Sequence, residues 1–524
     1  MAPPRRPCYG RRSVTVPVPI GVPYLPGAAE LRPFAAELWL VGGIVANLLV
    51  PLFVRRPNLT CGVVTLAVLA GAVASLLLGW DAAATPAEHL RGMLLSDDLS
   101  ARWKAVLLPF VAGVVVLWMG HSRRSAAEQD GPPFLVLLLG ATLGLSLMAS
   151  TDHLLMIFLA VAMASLPSYA LAGVRTGSRR ASEAALKYVL FGAVVGAVLA
   201  YGLSFLYGLT GSLHLSALGT TSSSAALGVG LVGLAVGAGF KASAVPLHFW
   251  VPDVFEGAPI EVTAFLSVAS KGAGLVLLLR VVQAASGVMP SVPVVVGIVG
   301  AVTATVGNAA ALSQRNVKRL LAYSSVAQAG YMLCALAVPG RAGPVLIAYL
   351  AVYAVMNLGA FAVTATVVGR TGSESVDAFG GLGRSSPVLA GSMLACLVSL
   401  IGLPPVGGFW AKLGVLVALG HGGRLGVALI AVIGVNTVVS AFYYFRLVRA
   451  MYLRPMGSQA TVGAWEPVGL WLGGACAAAL AALFIAAGPL LGGASRGGPA
   501  PTPPLANATP VQLAGTHVTF PTRR

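Results

Sequence analysis

The sequence predicts an all-α polytopic membrane protein of about fourteen transmembrane helices, two of them broken. Three observations predict it. Of 524 residues, 57% are hydrophobic and only 9% charged, with a mean hydropathy of +0.87, more apolar sequence than a soluble core of this size needs. The apolar residues fall in blocks of about twenty, the length that crosses a bilayer as a helix. Two of the blocks are interrupted by proline close to a lysine.

In chain order, residues 1–33 are rich in Pro and Arg, without periodicity, and read as a disordered tail. The transmembrane domain spans 34–491, with apolar blocks at 35–54, 60–79, 103–120, 132–149, 151–173, 183–208, 225–250, 261–283, 290–311, 318–337, 342–369, 388–419, 425–451 and 466–491. Residues 492–524, a Pro/Gly/Thr-rich stretch, read as a second disordered tail. Each block is expected to be one helix.

The net charge of +17 would point to nucleic acid in a soluble protein. Here the basic residues sit in short loops, where they orient the helices, so the expected partner is the lipid bilayer and not nucleic acid. Loops carrying Arg55/Arg56, Arg123/Arg124, Arg175/Arg179/Arg180, Arg315/Lys318/Arg319, Arg370/Arg384 and Arg446/Arg449/Arg454 alternate with sparsely charged ones. They are expected on the cytoplasmic side of a bacterial inner membrane, which places both termini outside. Arg5, Arg6, Arg11 and Arg12 in the N-terminal tail argue the other way and are outnumbered.

Several motifs fail on context. Gly228, Gly230 and Gly233 fit a dinucleotide fingerprint, but no strand precedes them; inside an apolar span they read as contacts between helices, as do Gly192 and Gly196. The five cysteines lie far apart without a CxxC, and the seven histidines show no ligand spacing, so no metal site is indicated.

The residues that carry chemistry are lysines. A lysine near mid-bilayer costs about 2.5–3.5 kcal/mol on insertion scales, so intramembrane lysines are rare and face wet or polar interiors. Lys241 precedes the break at Pro246, Lys271 lies mid-span, Lys412 follows the break at Pro404 and Pro405, and Lys187 lies near the start of its span, where its stem could snorkel to the surface. His248, between Pro246 and Pro252, is the one histidine in a helix-breaking context. The two breaks are five spans apart, and an odd offset inverts the second segment across the membrane. Matched interrupted spans of this kind point to inverted repeats and a transport path. Asn308, Asn357, Asn436 and Ser440 offer polar stations between them.

The stretches FKASAVPLHFWVPDVFEGAP, TAFLSVASKGAGLVLLLR, NVKRLLAYSSVAQAGYM, YAVMNLGAFAV and SLIGLPPVGGFWAKLGVL resemble the signature segments of the antiporter-like membrane subunits of complex I. Within that group they most resemble the subunit N family of bacterial NADH-quinone oxidoreductases, the counterpart of mitochondrial subunit 2. The resemblance implies two inverted five-helix repeats, spans four to eight and nine to thirteen. It also implies proton translocation coupled to quinone reduction elsewhere in the complex, with Lys187, Lys241, Lys271 and Lys412 on the path; His248 is placed beside them by its helix-breaking context. No cofactor is expected in this chain; NADH, FMN, iron–sulfur clusters and quinone are expected in partner subunits, alongside other antiporter-like and small helical subunits of the membrane arm.

One departure stands out. The resemblance implies a fifth-span glutamate facing Lys241, and this chain has Ala162 there, although Ser165, Leu166, Pro167 and Tyr169 match; Gln328 also stands where histidine is common. Two alternatives to the pumping subunit therefore stay open: a subunit of a related sodium/proton antiporter or membrane-bound hydrogenase, and a structural membrane-arm subunit with a degraded path.

Overall fold

The computed structural model describes residues 26–54, 56–122, 131–175, 177–455 and 466–494. All fourteen apolar blocks form helices: α1 Ala35–Leu49, α2 Pro57–Leu78, α3 Asp98–Ser122, α4 Gly131–Ala149, α5 Leu154–Ala172, α6 Arg179–Thr210 and α7 Ala225–Ala242 in the first half. The second half holds α8 Ile260–Ala285, α9 Ser291–Leu312, α10 Val317–Ala335, α11 Pro339–Thr371, a broken α12 (Pro387–Ile401 and Gly408–Leu419), α13 Gly423–Leu453 and α14 Pro467–Ala494. A short antiparallel hairpin, β1 Ala87–His89 and β2 Leu94–Ser96, lies between α2 and α3. The expected tails fall largely outside the described residues. The boundary at residue 33 is corrected: Ala28–Leu31 is helical and Phe34 is already buried, so the helical chain begins ahead of the apolar block.

The seventh block is corrected too. The helix stops at Ala242, not at Pro246 as the sequence reading placed the break, and Ser243 turns into the left-handed region with φ 61°. Proline acts backwards along a helix: Pro246 has no amide for the carbonyl of Ala242, and its ring would collide with that carbonyl. The chain therefore leaves the helix four residues early and resumes as a short helix, Trp250–Gly257.

The repeats show in the packing. Helix α4 packs on α5 and α8 while α9 packs on α10 and α13; α6 packs on α7 while α11 packs on both halves of α12. Close crossings depend on glycine. A Cβ on Gly202 of α6 would stand 2.6 Å from the Cα of Gly233 on α7, and one on Gly192 would stand 1.8 Å from the Tyr169 hydroxyl. Gly230 is tight in the same way, but a Cβ on Gly228 would meet only Met289 at 3.9 Å and one on Gly196 nothing within 4 Å, so the reading of those two as helix contacts does not hold.

The described basic loops gather at one end of the bundle. Arg319 pairs with Asp253 (3.2 Å) and Glu256 (2.6 Å), and Lys318 donates to Glu374 (3.0 Å) and to the carbonyls of Glu256 and Ala258 (both 2.9 Å). Arg446 donates to the carbonyls of Leu312 and Gln314, and Arg454 to Asp377. Arg55, Arg123 and Arg124 lie outside the described residues. At the opposite end Arg280 holds Asp97 at 2.7 Å; burial raises the Asp97 carboxyl, and the guanidinium outweighs it, so the group lies below its ordinary pKa.

The three helices ahead of the first repeat hold a buried ion pair to which the first repeat adds a hydrogen bond. Lys104 on α3 meets Glu37 on α1 at 2.7 Å, with side chains 4% and 6% exposed, and Ser146 on α4 donates to the same carboxylate at 2.6 Å. Removing one partner of a buried pair leaves an uncompensated charge and costs about 3–5 kcal/mol, whereas removing both is often neutral. Lys104→Met is thus expected to lower the thermal unfolding temperature of the detergent-purified protein, and Lys104→Met with Glu37→Leu to restore it. Thermal melts of both variants check this.

Candidate functional site

The break after α7 brings two lysines together through backbone. Lys271 follows a π-helical turn, Leu266–Ser270, and is fully buried. Its Nζ donates to Ser243 Oγ at 2.9 Å, the residue that turns out of α7, and lies 5.3 Å from the Phe255 ring centroid and 5.7 Å from that of Trp250. The short helix after the break supplies both aromatic faces. Ser270, beside Lys271, donates to the carbonyl of Lys241 at 3.3 Å.

Lys241 itself is 1% exposed, and its Nζ makes no hydrogen bond among the described residues. It lies 5.9 Å from the Tyr169 ring centroid and lines a cavity of about 850 Å³ between α5, α6 and α7. Ala162, Ser165 and Leu166 line the same cavity, so the position expected to carry a carboxylate opens onto space shared with the lysine.

Lys187 is set apart from the other three lysines. It pairs with Glu183 (2.8 Å) and Asp253 (2.9 Å) at the end where the basic loops gather, with its side chain 39% exposed. His248 is half-buried and shares with Lys187, Asp253, Arg319 and Tyr323 a cavity of about 400 Å³ at that end. Lys187 and His248 thus share one cavity, which Lys271 does not line.

The second break repeats the first in a different form. Gly402 takes the left-handed conformation (φ 86°), the chain passes through Pro404 and Pro405, and α12 resumes at Gly408, whose amide donates to Ser399 Oγ at 3.0 Å. The break frees the carbonyl of Ile401, and Lys412, 6% exposed, donates to it at 2.7 Å, with Thr437 Oγ1 at 3.3 Å. Its Nζ lies 4.5 Å from the Tyr331 ring centroid.

A polar seam runs between Lys271 and Lys412. Ser267, one turn before Lys271, accepts from Tyr353 (3.1 Å) at its carbonyl and from Asn357 (2.5 Å) at its hydroxyl. Tyr349, one turn before Tyr353 on α11, donates to Gln328 on α10 (2.5 Å); on α10 Ser324 bonds to Tyr444, whose ring lies against that of Tyr443 with centroids 4.3 Å apart. Tyr443 donates to Asn308 (2.9 Å), and Asn308 donates to Tyr331 (2.9 Å) and Asn436 (3.1 Å). Asn308, Asn357 and Asn436 thus bond into this seam, whereas among the described residues Ser440 bonds to a carbonyl of its own helix. The tyrosines were missed by sequence reasoning, and Gln328 was noted only as standing where histidine is common. Their signal was there: Tyr349, Tyr353 and Asn357 lie four apart on one face of α11, and Ser324, Gln328 and Tyr331 on one face of α10.

The sequence of this arrangement matches a known one. Residues 151–439 match the NADH:quinone oxidoreductase/Mrp antiporter transmembrane family. The chain belongs to that family. Within it, the chain is 40% identical to NADH-quinone oxidoreductase subunit N 2 of Sorangium cellulosum, over 88% of this chain and 95% of that protein. It is 39% identical to subunit N of an Anaeromyxobacter species, over 80% and 87%. A chain of respiratory complex I from Thermus thermophilus superposes with TM-score 0.74 at 35% identity, over 87% of this chain and 98% of that one. The Mrp complex of a Dietzia species shares the fold, with TM-score 0.76, at only 19% identity over 88% and 95%.

The cavity beside Lys241 sets a test. A carboxylate about 4 Å from an ammonium interacts by ~4 kcal/mol at an effective dielectric near 20, before desolvation is counted. Ala162→Glu is expected to change stability favourably only where Lys241 is present. A double-mutant cycle with Lys241→Met, read by thermal unfolding, should give a coupling of at least about 1 kcal/mol.

Proposed function

We propose that this chain is a proton-translocating subunit in the membrane arm of an NADH-quinone oxidoreductase. The observation that carries the reading is the pair of buried lysines, each held by a group that a helix break provides, joined by the tyrosine–asparagine seam. A proton enters at the Lys187–Asp253 pair, passes His248 and reaches Lys271. The hydroxyls and amides of the seam relay it toward Lys412. A change of charge on any neighbouring group alters the relative cost of a buried ammonium and so drives the transfer, each 1.36 kcal/mol of differential interaction being about one pKa unit.

Redox chemistry belongs to other subunits in this reading, where NADH, FMN, iron–sulfur clusters and quinone are bound. The partners are other antiporter-like and small helical subunits. The end that gathers the basic loops faces the cytoplasm of a bacterial cell whose inner membrane holds the complex, by the positive-inside rule. Identities near 40% to subunit N relatives, against 19% to the Mrp chain, favour this assembly over an antiporter complex.

One observation favours a second reading, a structural subunit. Lys241 lacks a carboxylate, and the non-titrating Gln328 occupies the middle of the seam. The two readings part at Lys271. In the intact complex Lys271→Met is expected to keep assembly and lower the proton-to-electron ratio during NADH oxidation. A variant that assembles and pumps at the parental ratio would overturn the pumping role.

A further inference from the structure

At the end of the bundle opposite the basic loops, three distant segments converge on one point. Glu88 comes from β1, Asp152 from the junction of α4 and α5, and His214 from the linker between α6 and α7. Backbone contacts fix all three independently of their side chains. Leu95 donates to the carbonyl of Ser150 (2.8 Å), Leu154 to that of Leu213 (2.6 Å) and Leu215 to that of Asp152 (3.0 Å), and Thr151 Oγ1 donates to the carbonyl of Met93 (2.8 Å). One oxygen of each carboxylate and one imidazole nitrogen lie within 4.8 Å of one another.

Two of the facing atoms are left without a hydrogen bond. Asp152 Oδ1 and His214 Nδ1 face each other at 3.5 Å; both atoms are buried, on side chains 19% and 28% exposed, and neither makes a hydrogen bond among the described residues. A direct bond between them would be near 2.7–2.9 Å were the imidazole charged. Two ligands about 2.1 Å from a tetrahedral ion stand ~3.4 Å apart, which is the spacing observed. The turn that closes the site needs glycine: Gly92 has φ +81°, and a Cβ there would stand 2.8 Å from the His214 ring and 3.3 Å from Glu88 Oε2. His153 backs the site, its ring edge-on to His214 with centroids 5.2 Å apart.

We propose that Glu88, Asp152 and His214 bind a divalent cation of the zinc class. The imidazole nitrogen selects a borderline metal over magnesium or calcium, whose sites are all-oxygen. Glu88, the exposed ligand, rotates inward to complete the shell, leaving a fourth position for water. The ion ties the hairpin ahead of the first repeat to two of the repeat's own turns. It lies apart from the lysine path.

The test is a Zn²⁺ titration of the EDTA-washed intact complex, comparing the parent with Glu88→Gln and His214→Gln. The parent is expected to bind one Zn²⁺ more per complex than either variant at matched free Zn²⁺, with affinity at that site falling at least about tenfold on loss of a ligand. X-ray absorption of the parent should show an added nitrogen- and oxygen-only zinc environment. Glu88 is exposed, so Glu88→Gln decides the matter alone if His214→Gln fails to assemble. Equal stoichiometry and affinity in parent and Glu88→Gln would overturn the site.

Discussion

An ammonium buried in an apolar bundle has to be given polar partners, and the rest of this structure follows from how that is done. A continuous helix spends its carbonyls on its own hydrogen bonds and has none to offer. Breaking the helix releases them, at a cost that membrane proteins accept only where something polar takes them up. Lys412 is held by the carbonyl that the α12 break releases at Ile401. Lys271 is held by Ser243, a hydroxyl set in place by the α7 break. The prolines are therefore part of the lysine sites even though they touch no proton.

The break recurs at the equivalent helices α7 and α12, but the lysine it serves differs: Lys271 on the following helix, α8, in the first repeat and Lys412 on α12 itself in the second. The first break passes on into a short helix that brings Trp250 and Phe255 over Lys271; the second returns directly to helix and leaves Lys412 above Tyr331. Between them, hydroxyls and amides from α8, α10, α11, α9 and α13 bond to one another, not to their own helices alone. Lys241 is the exception. With Ala162 opposite, it has the cavity that a carboxylate would fill and no bonded partner among the described residues.

Much of this was legible in the sequence because it depends on local composition. Block length marked every helix, and proline beside lysine marked both breaks. What was not legible depends on contacts far apart in the chain. The α7 terminus fell at Ala242 because Pro246 acts on the carbonyl four residues back. Glu37 and Lys104 each lie close to the end of an apolar block, where a charge normally reaches water; only the fold shows that they reach each other. The four-residue spacing of the tyrosines gains meaning only when α10 and α11 are seen to face one another. Gly196 was grouped with Gly192 by spacing, yet only Gly192 meets a neighbour, because Tyr169 projects at one turn of α6 and not the next.

The central claim is that the seam between Lys271 and Lys412 conducts protons. Among the described residues its hydrogen bonds to α8 are those of Tyr353 and Asn357, two side chains of α11, with Ser267. Tyr353→Phe combined with Asn357→Leu removes that link while keeping apolar bulk in place. The most direct measurement is the proton-to-electron ratio of the intact complex carrying this pair, with and without Lys271→Met. The account predicts a lowered ratio for the seam variant and no further drop when Lys271→Met is added, since both cut one path. A parental ratio in the seam variant, in a complex that still oxidises NADH, would contradict it.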